Sequence, residues 1–420
     1  MIDIKKVKTD IAWYKKNIID RNLKIDFDDF LAIEEKKNVL AQKIDELRNT
    51  KNIVSKEIPT LSTDERAVKI EEMKKLWDEL ETLEEEYKPL QEKFNDTLYR
   101  LPNFLDPSAA VGKNDEENVA EEFYWEKTKF DFPVKTHYEI GEKNDWIDIE
   151  KWSEVSGSRF WYLKWELVLL QFAIVQYALS ELVSEWYNPI LPPLMTKQKA
   201  MFGTGYYPAD EDWLYTVNPW VDDLYMIGTS EVPVTSYHSD EVIDVETPIK
   251  YVWYSSCFRR EAGSYGKDTK WILRGHQFDK VEMVVFCKPE ESQKIHNQMV
   301  EIEEKIWQWL WIPYQKLNVC TGDLWNPAMK KYDLEAWMPG QERYREVTSC
   351  SNIGEFQSRR LWIKYKNEQW KKEYVHTLNG TVIALSRCLI AIMENYQTAD
   401  GKVKIPEVLQ PFMGGKTMMW

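Results

Sequence analysis

The chain has 420 residues and a mass of 50.1 kDa, enough for two or three folding units with a substantial core. Its net charge of −15 excludes a protein that coats nucleic acid through bulk positive charge, so any contact with RNA has to be local and directed by shape. No stretch approaches about eighteen uninterrupted apolar residues, and the N-terminal MIDIKKVKTD lacks the apolar core of a secretory signal, which predicts a cytoplasmic protein with no membrane span.

From about Asp29 to Leu98 the pattern predicts two long helices. Ile33, Leu40, Leu47 and Val54 recur at heptad spacing with Ile44 between them, and Leu76, Leu80, Leu83, Tyr87, Leu90 and Phe94 alternate steps of four and three, an a/d seam. The intervening IPTLSTDER carries a proline and capping residues suited to ending one helix and starting the next. An antiparallel hairpin follows, each side about 45–50 Å long at 1.5 Å per residue. Taken alone, such a seam reads as a plain dimerisation coiled coil.

A proline- and polar-rich linker, LPNFLDPSAAVGKNDEEN, leads into a second domain that is under way by Asp115. Helices are expected over Glu166–Glu185, about Glu290–Leu310 and about Val382–Asn395, with short strands between them. Strand runs with helices outside them predict an α+β fold around an antiparallel sheet. The five cysteines, Cys257, Cys287, Cys320, Cys350 and Cys388, are odd in number and show no CxxC spacing, which predicts reduced thiols rather than disulfides or zinc.

Tyr251–Glu261 (YVWYSSCFRRE) alternates as a strand that puts Cys257, Arg259 and Glu261 on one face. RGHQFDKVEMVVF reads as the returning strand, with Arg274, His276, Phe278, Lys280 and Glu282 on one face. An aromatic plate flanked by cations and a carboxylate suits a purine, a triphosphate and a small polar ligand. A salt-bridge ladder among Arg259, Glu261 and Glu282 is the plainer reading of FRRE by itself.

The whole string CFRREAGSYGKDT followed by RGHQFDKVE closely resembles motif 2 of class II aminoacyl-tRNA synthetases in its seryl form. The order of VSGSRF, YNPILPPLM with its motif 1 proline, GTSEVP, TGDL, KKYDLEAWMPGQERYREVTSCSN and the motif 3 segment HTLNGTVIALSRCLIAIMENYQ is similar to that of bacterial-type seryl-tRNA synthetases along the entire chain. The resemblance implies a class II antiparallel sheet flanked by helices behind a long two-helix coiled-coil arm. Residues 1–105 would then be a tRNA-binding domain and 106–420 the catalytic one.

It further implies activation of L-serine with ATP and Mg²⁺, then transfer to tRNA for serine, whose long variable arm the coiled coil would read, in a cytoplasmic homodimer. Selenocysteine tRNA as a second acceptor stays open. Carried over by resemblance, Thr229, Ser230 and Glu231 line the serine pocket with Glu231 on the α-ammonium, and Glu282, Asn379 and Thr381 close around the side chain. Arg259 meets the α-phosphate and Arg387 the γ-phosphate, and with Glu282 these two form the catalytic set. Glu261 and Phe278 hold adenine. Arg260, Gly275, Val347 and Thr348 complete the ATP site, and Glu346 with Ser349 is the implied Mg²⁺ pair. Motif 3 departs from the family's usual wording, with Thr381 for Ser and with Val382 and Ser386 where Gly is frequent; threonine keeps the hydroxyl.

Two other functions fit parts of the sequence. An amino acid:carrier-protein ligase would lack the helical arm, and a non-catalytic RNA-binding paralogue would have lost one of Arg259, Glu261, Glu282 or Arg387.

The composition holds one anomaly: 20 Trp against 16 Gly, where about 29 glycines and about five tryptophans are ordinary. Trp186 and Trp311 follow helices where a left-handed residue, usually glycine, is expected. Trp165, Trp271 and Trp325 stand at turns where the resembled family usually has glycine, whereas Trp337 is a tryptophan that family shares. The pattern predicts UGA codons that the source decodes as glycine. A naturally tryptophan-rich enzyme is the alternative.

Overall fold

The computed structural model describes residues 1–148, 150–262 and 272–420, without the side chains of residues 63, 150, 152 and 153. Trp271, for which glycine is expected, lies outside the described residues. By compactness the chain divides into Lys24–Leu101 on the one hand and Met1–Leu23 with Pro102–Trp420 on the other.

In the first unit, α1 (Phe27–Glu57) and α2 (Thr63–Arg100) form the expected hairpin. All eleven seam positions named above are buried or half-buried. Phe30 stacks on Phe94 at 5.1 Å between ring centroids, and Lys93–Asp29 at 2.8 Å bridges the two helices. Trp77 sits off the seam, half exposed, beneath the Lys51 ammonium. Ser62 and Glu65 form a capping box that starts α2, as the Ser/Thr/Asp-rich connection requires.

The larger unit is built on an eight-stranded sheet. Its strands are β1 (Val119–Tyr124), β2 (Asn188–Pro189), β3 (Ile249–Phe258), β4 (Gln277–Cys287), β5 (Tyr314–Asn318), β6 (Lys330–Met338), β7 (Arg343–Gly354) and β8 (His376–Ala384). They lie in the order β1-β5-β6-β7-β8-β4-β3-β2, antiparallel throughout except for the short parallel pairing of β2 with β3. Helices α3 (Glu166–Ser184), α4 (Gln198–Thr204), α5 (Glu231–Ser236), α6 (Ser292–Trp309), α7 (Phe356–Leu361) and α8 (Leu385–Asn395) surround it. On α6, Ile295, Met299, Ile302 and Ile306 are buried at steps of four and three, the stripe that seats a helix on a sheet. Helix α3 is the one described helix long and apolar enough to cross a membrane by length and composition.

Two boundaries differ from expectation. The last helix starts at Leu385 rather than Val382, because Ile383 and Ala384 still pair with Val281 and Lys280 of β4. Strand β3 ends at Phe258; Arg259 adds one more rung, its N–H donating to the His276 carbonyl, and Glu261 turns the chain with φ 50°. The residues before the arm belong with the core. Arg21, 3% exposed, donates to the carbonyls of Asn103 at 3.2 Å and Ala328 at 2.6 Å.

Candidate active site

One row of residues crosses four strands in register: Asp333 on β6 faces Ser349 on β7, Ser349 faces Thr381 on β8, and Thr381 faces Glu282 on β4. At the ordinary strand spacing this row is about 14 Å long. Two residues along, Lys331, Ser351 and Asn379 form a parallel row. A cavity of about 380 Å³ opens above both rows. Side chains of alternate residues share a face, so a sheet in this register collects its polar groups over one patch of floor.

A bulge alters the parity on β7. Leu334 pairs with Thr348, but Glu335 pairs with Glu346, leaving Val347 as the extra residue. Glu346 and Ser349 are three apart and would face opposite sides of a regular strand. The inserted residue restores both to the cavity, a use of bulges common beside active sites. Next to them lies Asp333, whose charge burial disfavours and Lys331, at 2.9 Å, and then the Ser349 hydroxyl favour.

Glu231, at the start of α5, is 3% exposed. Its Oε1 accepts from Gln357 at 2.6 Å and from Asn379 at 2.9 Å, and its Oε2 from Tyr206 at 3.2 Å. Thr229 sets the turn by accepting from the Glu231 N–H at 3.2 Å. Burial, and then repulsion from Glu282, raise the Glu231 carboxyl to about 7. Three neutral donors and, among the described residues, no cation in contact describe a carboxylate suited to one more positive partner.

Glu282 is 3% exposed and ion-paired with Lys280. Thr381 donates to Glu282 at 3.1 Å and lies 3.3 Å from the Lys280 ammonium. The triangle is a small polar niche beside Glu231.

The cationic side of the cavity comes from turns and a helix. Arg259 lies over the Phe278 ring at 5.2 Å and donates to the Gly228 carbonyl at 3.2 Å. Arg274 meets Glu261 at 3.4 Å. Arg387 of α8 donates to the Glu346 carbonyl at 2.7 Å and approaches its carboxylate at 3.3 Å. Burial works against the Glu346 charge, but Arg387 and then Lys331 outweigh it and hold this carboxyl below its ordinary value. The arginines therefore do not form the ladder with Glu282 that FRRE alone suggested.

Arg259, Glu261, Gly275, Phe278, Glu231, Glu282, Glu346, Val347, Thr348, Ser349, Asn379, Thr381 and Arg387 all border this cavity. Thr229, Ser230 and Arg260 do not. Thr229 and Ser230 are buried behind Glu231, and the Arg260 N–H is used by the Trp213 carbonyl. His276 packs between Phe160 and Tyr215 and approaches the Arg259 carbonyl at 3.1 Å, a structural placement. Gln357, Tyr206, Lys331 and Asp333 were not singled out by the motifs. Lys331 and Asp333 stand two apart in KKYDLE, a spacing that could have flagged them; Gln357 comes from a short helix with no local signal. Trp325 walls the cavity and donates to Asp210 at 2.9 Å.

Among the described residues no group of three or more His, Cys, Asp or Glu is placed to hold a metal ion. Glu346 and Ser349 offer one carboxylate and one hydroxyl, the partial set that suits Mg²⁺ when phosphate oxygens and water supply the remainder.

Residues 215–396 match the family model for the tRNA synthetase class II core domain (G, H, P, S and T), and residues 1–105 match the seryl-tRNA synthetase N-terminal domain. The chain is 42% identical to the serine–tRNA ligase of Dictyoglomus turgidum, covering 99% of this chain and 98% of that one. It is 40% identical to the corresponding ligase of Thermodesulfovibrio yellowstonii, covering 99% of each. Among solved structures, the seryl-tRNA synthetase of Pyrococcus horikoshii complexed with ATP superposes with a TM-score of 0.90 at 37% identity, covering 100% of this chain and 99% of that one. The cytoplasmic serine–tRNA ligase of Naegleria fowleri in complex with AMP gives a TM-score of 0.84 at 32% identity, over 97% and 95%. With the sheet, the cavity and both family domains in place, the chain belongs to the seryl-tRNA synthetases, a class II family of serine–tRNA ligases.

Proposed function

We propose that the cavity binds ATP and L-serine side by side along the polar row, forms seryl-adenylate, and passes the seryl group to the 3′ end of tRNA for serine. The observation that carries this reading is Glu231, a buried carboxylate that among the described residues touches no cation and lies beside the Lys280–Glu282–Thr381 niche. An α-ammonium supplies the missing charge, and a hydroxymethyl side chain reaches the niche. Alanine brings no hydroxyl to the Lys280–Glu282–Thr381 niche and would cover it without a hydrogen bond in exchange, the form of rejection a polar pocket uses.

Activation is in-line attack of the serine carboxylate on the α-phosphorus with loss of pyrophosphate, which asks for positioning and charge neutralisation rather than a protein nucleophile. Arg259 is placed to hold the serine carboxylate against the α-phosphate, Phe278 and Glu261 to hold adenine, and Arg387 to meet the γ-phosphate. Glu346 and Ser349 would hold Mg²⁺, which when bound neutralises phosphate charge. Asp333 lies opposite Ser349 in the register, where its carboxylate can orient the Ser349 hydroxyl.

The partner on the other side of the molecule is a second copy of this chain. Leu169, Phe172 and Val183 of α3, with Leu191 and Leu194 beyond it, are each at least 40% exposed, a large apolar surface for a monomer. Leu191 and Leu194 belong to the motif 1 proline segment, and a homodimer covers this surface, working in the cytoplasm where ATP and tRNA are found. Sedimentation should show a dimer, and Phe172→Asp should shift it to monomer.

Serine-dependent ATP–pyrophosphate exchange tests the central reading. Exchange is expected with serine and Mg²⁺ and at background with alanine; equal exchange with threonine or proline would overturn the serine assignment.

A further inference from the structure

Among the described residues, thirteen other than glycine have positive φ, and six of these are tryptophan: Trp125, Trp165, Trp186, Trp311, Trp362 and Trp370. Tryptophan is only 20 of 420 residues in the chain. Four of the others are Asn22, Asp145, Asn218 and Asp240, types that tolerate the left-handed region, whereas a bulky side chain is a genuine outlier there.

Four of the six, Trp186, Trp311, Trp362 and Trp370, perform backbone tasks that glycine performs elsewhere in the same chain. Helix α3 ends in a Schellman motif, with the Trp186 N–H donating to the Val183 carbonyl at 3.1 Å and the Tyr187 N–H to the Leu182 carbonyl at 3.0 Å. Trp311 follows α6 with φ 52°, and Trp362 caps α7 at φ 57°, ψ 34°. Gly205 ends α4 in this left-handed manner, with the Gly205 and Tyr206 N–H groups both returning to Met201.

The turn pair is closer still. In Thr398–Lys402 the Thr398 N–H donates to Lys402 and the Gly401 N–H to Thr398, each at 2.9 Å. In Asn367–Lys371 the Asn367 N–H donates to Lys371 at 2.9 Å and the Trp370 N–H to Asn367 at 2.8 Å. The fourth position has φ 80° for Gly401 and 59° for Trp370. Trp165, ahead of α3, has φ 55° with ψ −128°, a combination that a Cβ opposes.

Packing does not repay these conformations. Relative exposure runs from 48% for Trp125 to 85% for Trp186, and Trp125 and Trp311 stack at 4.7 Å on each other. Trp146 and Trp307 are different: they are 1% and 0% exposed, neither has positive φ, and Trp307 donates to the Val382 carbonyl at 3.3 Å. Trp325, grouped with the turn tryptophans by sequence, likewise has no positive φ, so the backbone makes no demand for glycine there.

We infer that glycine stands at 125, 165, 186, 311, 362 and 370 in the protein as its source organism makes it, and that the source reads UGA at these positions as glycine. The cell must then hold a glycine-bearing tRNA whose anticodon pairs with UGA. The gene's codons give the first test: UGA is expected at all six and UGG at Trp146 and Trp307, and UGG at any of the six overturns the assignment. Peptide mass spectrometry of protein from the source should find glycine at each of the six, and tryptophan there overturns it too. Recombinant chains test the physics. Replacing all six with glycine should raise the thermal midpoint by about 2 °C per site, while Trp146→Gly lowers it; a six-glycine chain no more stable than the chain as written overturns the backbone argument.

Discussion

At Glu231 burial and function pull in opposite directions. Its carboxyl titrates near 7, raised from the ordinary carboxylate range, so without ligand the folded state favours the protonated form. That stability is fully present below the unfolded value and is lost as pH rises through about 7. Serine binding should show the reverse: affinity increases as pH rises toward about 7 and then levels, and below that value binding releases a proton that calorimetry in buffers of different ionisation enthalpy will count. Glu231→Gln should remove the pH slope, weaken serine by about 100-fold and raise the thermal midpoint of the ligand-free enzyme at pH 8. A serine affinity in this variant that still follows pH would transfer the effect to another group. The sequence made Glu231 visible through GTSEVP but said nothing of Gln357 or Tyr206, because they meet it from distant segments. Arg259, Glu282 and Arg387 were legible for the opposite reason: each lies inside a contiguous motif whose alternation or helical phase already points it inward.

Among the elements, β7 shows how far a pattern can be read. Short strands were expected here, yet no local rule places an extra residue at Val347, since the register shift exists only relative to β6. The resemblance put Glu346 and Ser349 together; the bulge is the physical reason they meet. Deleting Val347 should keep the sheet, rotate Glu346 out of the cavity, and lower exchange activity by at least about 100-fold while raising the Mg²⁺ concentration needed for half-activity. Unchanged Mg²⁺ dependence in a folded deletion protein would separate the bulge from the metal pair. The same limit explains the misplaced helix start at Val382: its apolar spacing suits a helix, but pairing with β4 holds the chain extended through Ala384.

For the molecule as a whole, the heptad seam was the most legible feature, because its contacts are local and periodic. Lys24–Leu101 is compact by itself, so replacing it with a short linker between Leu23 and Pro102 should leave serine-dependent exchange within about twofold and abolish aminoacylation of tRNA for serine; loss of exchange in a folded product would contradict that division. Less legible was the allegiance of the first helices, whose partners lie far along the chain: Arg21, which caps the second, bonds to Ala328, 307 positions away, and Lys6 of the first to Glu355, 349 away. This arrangement sets a timetable for synthesis. The arm is complete as soon as about a quarter of the chain has left the ribosome, and its short-range contacts let it form at once. Helices Ile4–Thr9 and Ile11–Asp20 emerge earlier but must wait, undocked, until most of the catalytic sheet has followed, so the first segment made is among the last to find its place.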